Sequence, residues 1–533
     1  MGKSKFLILY FFIVLFLFVG CGENGIISIP GTSDDTEVHV QTINEIAIPI
    51  EKFRTLNPIL TKDEDVYFFE KLVYEGLVKL DANLIPVPSL ADDWHYEDQG
   101  KTLVFNINNS AYWHDGMKLS AVDVKFTIDA LMRLQYTNPS IYTQYISNIK
   151  SVSLNGNQQV IIKFKTLNDN NVENFIFPII PGHQFNGLGD VARQVDEFMP
   201  IGTGPYRVIF SDEVQKVILG PNNQYTGANQ AKNTLIFKIV PNKAEAVNLF
   251  EIGDLMMAFS QETDRQKIFG DKSVNLYSYT SNQVEILGFN TKREQLKDKR
   301  VRQGIVSVID TAKIIEEAYY TNGVENDNIY FPNYLGVNST ESVVVQNYQK
   351  ARKLLSEAGY INRDDDLFVE NSNGDEISIT LLVNAGDPSR AAAAEIIKNS
   401  LDKLPIHTYI MLKDWSGYNT ALAAGNFDVF LGGWKINEEY DLRFALHSKF
   451  NNIAGYANPT LDSYLDLMQS GITVDAKRET FTKIRAILID DTPYFCLAYK
   501  TYAVATSKSL QGVVNPLFFN QFNGCENWSY TKE

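Results

Sequence analysis

Between Tyr418 and Leu446 the chain reads Tyr-Asn-Thr-Ala-Leu-Ala-Ala-Gly-Asn-Phe-Asp-Val-Phe-Leu-Gly-Gly-Trp-Lys-Ile-Asn-Glu-Glu-Tyr-Asp-Leu-Arg-Phe-Ala-Leu, and this stretch restricts the fold more than any other. A helical pattern ends at Gly425, the apolar run Asp428 to Leu431 predicts a buried strand, and Gly432-Gly433-Trp434 closes that strand at an acidic cluster. Strand ends beside glycines are places where a ligand can approach the backbone. Two glycines clear side chains from the main chain, so a ligand can lie against bare N–H and C=O groups, and Trp434 offers a broad wall.

The segments before it alternate in type. Ile377 to Val383 predicts a strand, Arg390 to Leu401 an alanine-rich helix, and His407 to Leu412 a second strand leading into the Gly-Gly-Trp strand. Such alternation implies an α/β domain. At 533 residues the chain is too long for one core and predicts two or three domains. A hydrophobic share of 44% with 12% aromatics is ample for globular folding.

The pattern of aspartate, short apolar run, Gly-Trp, acidic loop and aromatic-apolar segment resembles the family 5 extracytoplasmic solute-binding proteins, receptors of oligopeptide, dipeptide and nickel ABC importers. Other stretches carry the same resemblance. Leu56-Asn57-Pro58, Tyr74-Glu75-Gly76-Leu77-Val78 and Pro88-Ser-Leu-Ala-Asp-Asp-Trp94 match the family's opening. Ala111-Tyr-Trp-His-Asp-Gly-Met-Lys-Leu-Ser-Ala-Val-Asp-Val-Lys-Phe-Thr127 matches its most recognisable segment, in which Trp113 and His114 are packing residues. Gly202-Thr-Gly-Pro-Tyr-Arg-Val and Leu287-Gly-Phe-Asn-Thr291 with Asp298-Lys-Arg-Val-Arg-Gln303 complete the match, which spans roughly Ile43 to Pro516. The resemblance implies an α/β, two-lobed periplasmic-binding-protein-like fold of type II with an extra third domain, mixed sheets and hinge crossovers. Its implied boundaries are a signal peptide over 1–20, a lipid-anchored tether over 21–37, a first domain from 38–75, 199–284 and 506–533, a second over 76–198, and a third, the other lobe, over 285–505.

The ends of the chain and its charge narrow the setting. Lys3 and Lys5 precede an unbroken apolar run from Phe6 to Val19, shorter than the roughly 20 residues of a membrane span, so the segment reads as a targeting signal. Phe18-Val19-Gly20-Cys21 resembles a bacterial lipobox, with Phe18 in place of the usual leucine, and implies lipidation of Cys21 and an extracytoplasmic, membrane-anchored location. Gly22 to Glu37 reads as a polar tether. A formal charge of -16, more negative once the leader lysines are removed, excludes nucleic acid as a partner and suits a cationic or amine-bearing solute. Cys496 and Cys525 are left as either a disulfide or two buried thiols.

Local signals fill in the rest. Ile43 to Ile50, Leu103 to Ile107, Val160 to Phe164, Leu235 to Pro241 and Pro493 to Ala505 predict strands. Asp63 to Tyr74, the segment opened by Ser120 and Asp123, Lys243 to Glu251, Asn347 to Tyr360, Thr460 to Met468 and Arg478 to Ile489 predict helices, as does a longer one through Ile305, Ile309 and Ile314. Arg300 and Arg302, at the entry of that last helix, are expected to pair with acids on a solvated face. The glycines of Gly202-Thr-Gly-Pro lead into a strand, and no Gly-Lys-Ser/Thr follows, so they form no phosphate loop.

Catalytic signatures are missing. The sequence contains no His-Glu-x-x-His, no Gly-x-Ser-x-Gly and no Cys-x-x-Cys, and its six histidines are scattered, so neither an enzyme nor a metal or other cofactor is expected. What the resemblance implies is binding. A monomeric receptor encloses a peptide by hinge closure, pairs it as an added strand near Gly432, Gly433 and Trp434, and docks on membrane permease subunits. One position departs from the family pattern: peptide-binding members carry an aspartate three residues after the tryptophan to neutralise the ligand's ammonium, and this chain has Asn437. An amide cannot cancel that charge, and an unpaired buried charge costs several kcal/mol. Either Glu438, Glu439 or Asp441 substitutes, or the solute is not a peptide but an oligosaccharide, metal chelate or opine. A peptide-signal receptor with the same ligand chemistry is a third expectation.

Overall fold

The computed structural model describes residues 45–530 apart from 197, 262–264, 266–268, 270–273, 339–345, 365 and 451. The leader, the tether and Cys21 lie outside the described residues. Three sheets organise the chain. The first has four strands in the order Glu45–Glu51, Thr234–Val240, Lys216–Pro221, Tyr206–Asp212; only the first pair is parallel. Its parallel partners are almost two hundred residues apart in sequence, so this sheet is closed by the chain's return through Gly202-Thr-Gly-Pro. There the glycines make a close approach possible: a Cβ on Gly202 would lie 1.8 Å from the Val73 carbonyl oxygen, and one on Gly204 2.6 Å from that of Leu72.

A second four-stranded antiparallel sheet has the order Ala91–Glu97, Thr102–Ile107, Gln159–Phe164, Ile149–Asn155, and helix Ala121–Leu134 packs on it. That helix begins as its sequence predicts. The Asp123 carboxylate accepts from the Ser120 N–H at 3.0 Å and from its hydroxyl at 3.2 Å. Trp113 is fully buried and His114 is held by Gly202 and Gly204 main-chain groups, so both are packing residues. Burial also drives the His114 imidazole down to about 4.

The third sheet is mixed and has seven strands. Met257–Ser260, Tyr494–Ser507, Val274–Phe289, Val429–Lys435, Ser378–Asn384 and His407–Lys413 lie in that order, and Gly323–Val324 adds to Tyr494–Ser507. The first four pair antiparallel and the last three parallel, with helix Pro388–Leu401 as the crossover. Val274–Phe289 and Tyr494–Ser507 are the two longest strands. Their register slips between Thr280 and Val284, where the Ser281 hydroxyl instead donates to the Lys500 carbonyl at 2.7 Å.

Several expectations change. The helix through Ile305, Ile309 and Ile314 is broken: Lys299–Val306 ends, and Asp310 caps a new turn by accepting from the Lys313 N–H. The apolar residues kept their spacing, but Asp310 offered the backbone a competing partner. Arg300 pairs with Asp298 near the surface, whereas Arg302 is buried and donates to the carbonyls of Leu296, Lys297, Asp491 and Thr492. It ties a helix entry to the end of helix Val474–Asp491 and does not sit on a solvated face. Cys496 and Cys525 are both free, buried thiols. Finally, Gly432-Gly433-Trp434 does not close its strand, which continues to Lys435.

Candidate functional site

Helix Trp415–Ala424 starts where Asp414 accepts from the Gly417 N–H at 2.7 Å and stops at Gly425, whose φ of 67° is easy only for glycine. Asp428 then anchors the next strand by accepting from the Thr380 N–H at 2.9 Å. On one side, Val429–Lys435 pairs along its length with Val274–Phe289; on the other it meets Ser378–Asn384 only at Val429 and Phe430. The glycines inside it serve internal packing. A Cβ on Gly432 would lie 2.8 Å from the Tyr418 hydroxyl, which donates to the Leu431 carbonyl. A Cβ on Gly433 would lie 2.8 Å from both the Arg390 guanidinium and the Glu285 carboxylate.

Those two groups form a buried ion pair. Arg390 donates twice to Glu285, at 2.8 and 3.1 Å, and Lys500 stands 3.2 Å from the same carboxylate, which is fully buried. Trp434 is packed edge-on against Phe444 and Tyr494, with ring centroids 5.3 and 5.0 Å away. Gly432, Gly433 and Trp434 are not among the residues that line the cavity found just beyond them.

That cavity, of about 360 Å³, opens where the strand ends. Lys435, Ile436, Asn437 and Glu438 form one wall, the start of helix Glu64–Val73 with Tyr67 and Phe68 a second, and Tyr142 and Tyr145 a third. Tyr279, Tyr502, Phe518 and Gln521 also line it. Interactions cross it: the Tyr67 hydroxyl donates to Glu438, and Lys435 pairs with Glu64 at 2.7 Å. Lys71 sits 4.3 Å over the Tyr67 ring, a cation–π placement that also sets a positive charge near Glu438. Tyr142 donates to Glu70 at 2.9 Å, and burial pushes that carboxyl well above its ordinary range.

The four acidic-loop candidates have different fates. Asn437 and Glu438 line the cavity, and the Asn437 side chain has no hydrogen-bond partner among the described residues. Asp441 is committed elsewhere, gripping Arg443 through contacts of 3.0 and 2.7 Å, while Arg443 also reaches Asp169. Glu439 has no hydrogen-bond or ion-pair partner among the described residues. Burial, together with the carboxylates of Glu438 and Asp441, pushes its pKa up to about 8. Among the described residues no group of three or more side chains could hold a metal ion, and no helix is long and apolar enough to cross a membrane.

Most of the aromatic wall escapes a reading of the sequence. Tyr67 lies off the Val66, Phe69, Val73 stripe that marks its helix, which was a signal that it faces something other than that helix's core. Tyr142, Tyr145, Tyr279, Tyr502 and Gln521 carry no local signal; only the meeting of distant segments makes them neighbours.

Comparison with known proteins agrees with this architecture. The sequence model of the bacterial extracellular solute-binding proteins, family 5 middle region, matches residues 86–452. The oligopeptide-binding protein AppA of Bacillus subtilis (strain 168) is 25% identical over 475 residues, covering 86% of each chain. The dipeptide-binding protein of Escherichia coli (strain K12) is 23% identical over 483 residues, covering 84% of this chain and 88% of its own. An ABC transporter substrate-binding protein from Sinorhizobium meliloti shares the fold with a TM-score of 0.75 at 20% identity, over 92% of this chain and all of its own. With the family model matching residues 86–452, the chain belongs to the family 5 bacterial extracellular solute-binding proteins, non-enzymatic receptors that serve ABC importers.

Proposed function

We propose that the chain is a lipid-anchored extracytoplasmic receptor that encloses short peptides by hinge closure and delivers them to the permease subunits of an ABC importer. The observation that carries this reading is the origin of the cavity wall. Tyr67 and Gln521 come from the proposed first domain (38–75, 199–284, 506–533), Tyr142 and Tyr145 from the second (76–198), and Glu438 from the third (285–505). A solute held there touches every domain and so favours their closed arrangement. The register slip between Thr280 and Val284 falls at the proposed passage from first to third domain, which supports a hinge in the two long strands. Cys21, lipidated after removal of the leader, would hold the receptor at the membrane.

The peptide part draws support from the AppA and dipeptide-binding relatives. A non-peptide solute has one observation in its favour, the neutral Asn437 on the cavity wall. Native mass spectrometry of the gently purified full chain in mild detergent tests the two. A ladder of adducts fitting short peptides supports peptide capture. One discrete non-peptide mass overturns it and leaves the importer receptor standing.

A further inference from the structure

Resting on the receptor reading and its proposed domains, we propose that a face away from the solute cavity, where residues 168–173 of the second domain meet Arg443 and residues 469–477 of the third, is a latch that holds the lobes closed and sets how long the solute is kept.

Each contact on this face needs both domains. The Asn170 N–H donates to the Gln469 carbonyl at 3.3 Å, and the Asn171 amide donates to the Gln469 side-chain oxygen at 2.7 Å. Lys477 donates to Glu173 at 2.6 Å and to Asn171 at 3.2 Å, and Arg443 pairs with Asp169. None of these residues lines the solute cavity. Lys477 stands one turn into helix Val474–Asp491, near the helix's positive end, where a buried lysine has no local support. Its anion, Glu173, is also buried and lies 304 residues away in sequence, in the other domain. Taking either partner from such a pair strands the other, so the pairs hold the face shut. Release is provided for as well. Among the described residues, Asn170 Oδ1 and Glu173 Oε2 are buried there without a hydrogen-bond partner, a cost that water removes once the faces part.

The two faces come closest at Gly471, between helices Pro459–Met468 and Val474–Asp491. A Cβ there would lie within 2.7 Å of three atoms of the Tyr96 ring, across the domain boundary. That ring is pinned, because its hydroxyl donates to the Asn170 carbonyl at 2.9 Å. Gly471 has no positive φ, so the backbone accepts alanine. Gly471→Ala therefore clashes only while the lobes are closed, and it removes no charge or hydrogen bond.

Hydrogen exchange of the full chain in mild detergent, read by mass spectrometry, tests the latch. Two backbone bonds report on the lobes: Asn170 to Gln469, and Leu335 to the Asn83 carbonyl at 2.9 Å, which also joins third domain to second. In G471A, shown to fold by circular dichroism, the segments carrying Asn170 and Leu335 should exchange at least about tenfold faster. The paired strands Thr102–Ile107 and Val429–Lys435 should keep the wild-type rate. With the ring removed in Y96A, adding G471A should change neither segment further. Isotope-labelled tripeptide Ala-Phe-Ala, chased with unlabelled peptide, should leave G471A at least about tenfold faster than wild type, because release requires opening. Exchange that is unchanged in G471A, or faster at Asn170 alone, overturns the latch. So does faster exchange with an unchanged release rate. A tripeptide that binds neither chain overturns peptide capture, and the exchange comparison then decides the latch by itself.

Discussion

At Gly433 a single missing methyl group lets the Arg390 guanidinium lie against the Glu285 carboxylate beside the strand. Adding the methyl in Gly433→Ala puts a carbon within 2.8 Å of both groups and within 2.7 Å of the Val284 carbonyl oxygen. Backbone cannot yield in the middle of a paired sheet, so the ion pair must, and a buried charge loses its partner. We expect a loss of about 3 kcal/mol, read as a lower urea midpoint at unchanged slope. A change smaller than about 1 kcal/mol would show that the pair moves aside without cost. These two glycines look, in the sequence, like a clearance for ligand; in the fold the Tyr418 hydroxyl and the Phe430 ring crowd the space at Gly432, and the Arg390–Glu285 pair crowds that at Gly433. The side chain of residue 390, more than forty residues upstream, is invisible to that local reading.

At the scale of one element, helix Ala121–Leu134 shows how a cap does two jobs. Asp123 accepts from the Ser120 N–H and hydroxyl with one oxygen and from the Gly182 N–H, at 3.1 Å, with the other. The first contacts are local and legible from the Ser-x-x-Asp spacing; the last joins the helix to a loop some sixty residues away and is not. Ser120→Ala should therefore cost about 1 kcal/mol, as for other caps. Asp123→Ala should cost about 2 to 3 kcal/mol, because it also strands buried donors. Thermal unfolding of both variants checks the order, and equal losses would mean that the Gly182 contact contributes nothing. The break after Val306 has the same origin in reverse, since the helical spacing of Ile305, Ile309 and Ile314 persists while Asp310 starts a fresh turn.

Across the whole molecule, charges gather where distant segments meet. Lys477 is nearly buried against Glu173 and Asn171, whereas Lys435 and Glu64 pair in solvent. Lys477→Ala leaves the Glu173 charge buried and should cost about 3 kcal/mol or more, while Lys435→Ala should change stability by less than about 1 kcal/mol. Chemical unfolding of the two variants separates them; comparable losses would place the two pairs in the same environment.

Acidity gives a second whole-molecule test. Burial raises Glu75 to about 7, and burial with neighbouring carboxylates raises Glu439 to about 8. Both bind a proton more tightly folded than unfolded, so the stability they confer is lost as pH rises from about 4.5 through those values. His114, held near 4 by burial, acts the other way and loses stability as pH falls from about 6.5. Between pH 6.5 and 8 His114 no longer contributes, and raised carboxylates, Glu70 among them, carry the trend, so the melting temperature should fall over that interval, less steeply in E439Q. A melting temperature that holds level there would show that Glu439 ionises normally.

Read residue by residue, the sequence determined the family and most of the elements, because those rest on short-range physics. Gly425 stops a helix, Asn347, Asp387 and Asp414 start others, and apolar periodicity marks the strands around them. It also singled out the loop after Trp434 as a candidate polar site, since Asn437, Glu438, Glu439 and Asp441 are consecutive or nearly so. Tertiary structure alone decided what each of them can do. Asp441 is taken by Arg443, Glu438 faces Tyr67, and Glu439 is left among carboxylates contributed by segments some 270 residues away. Charge balance and cavity walls depend on which distant side chains converge, and no local pattern encodes that meeting.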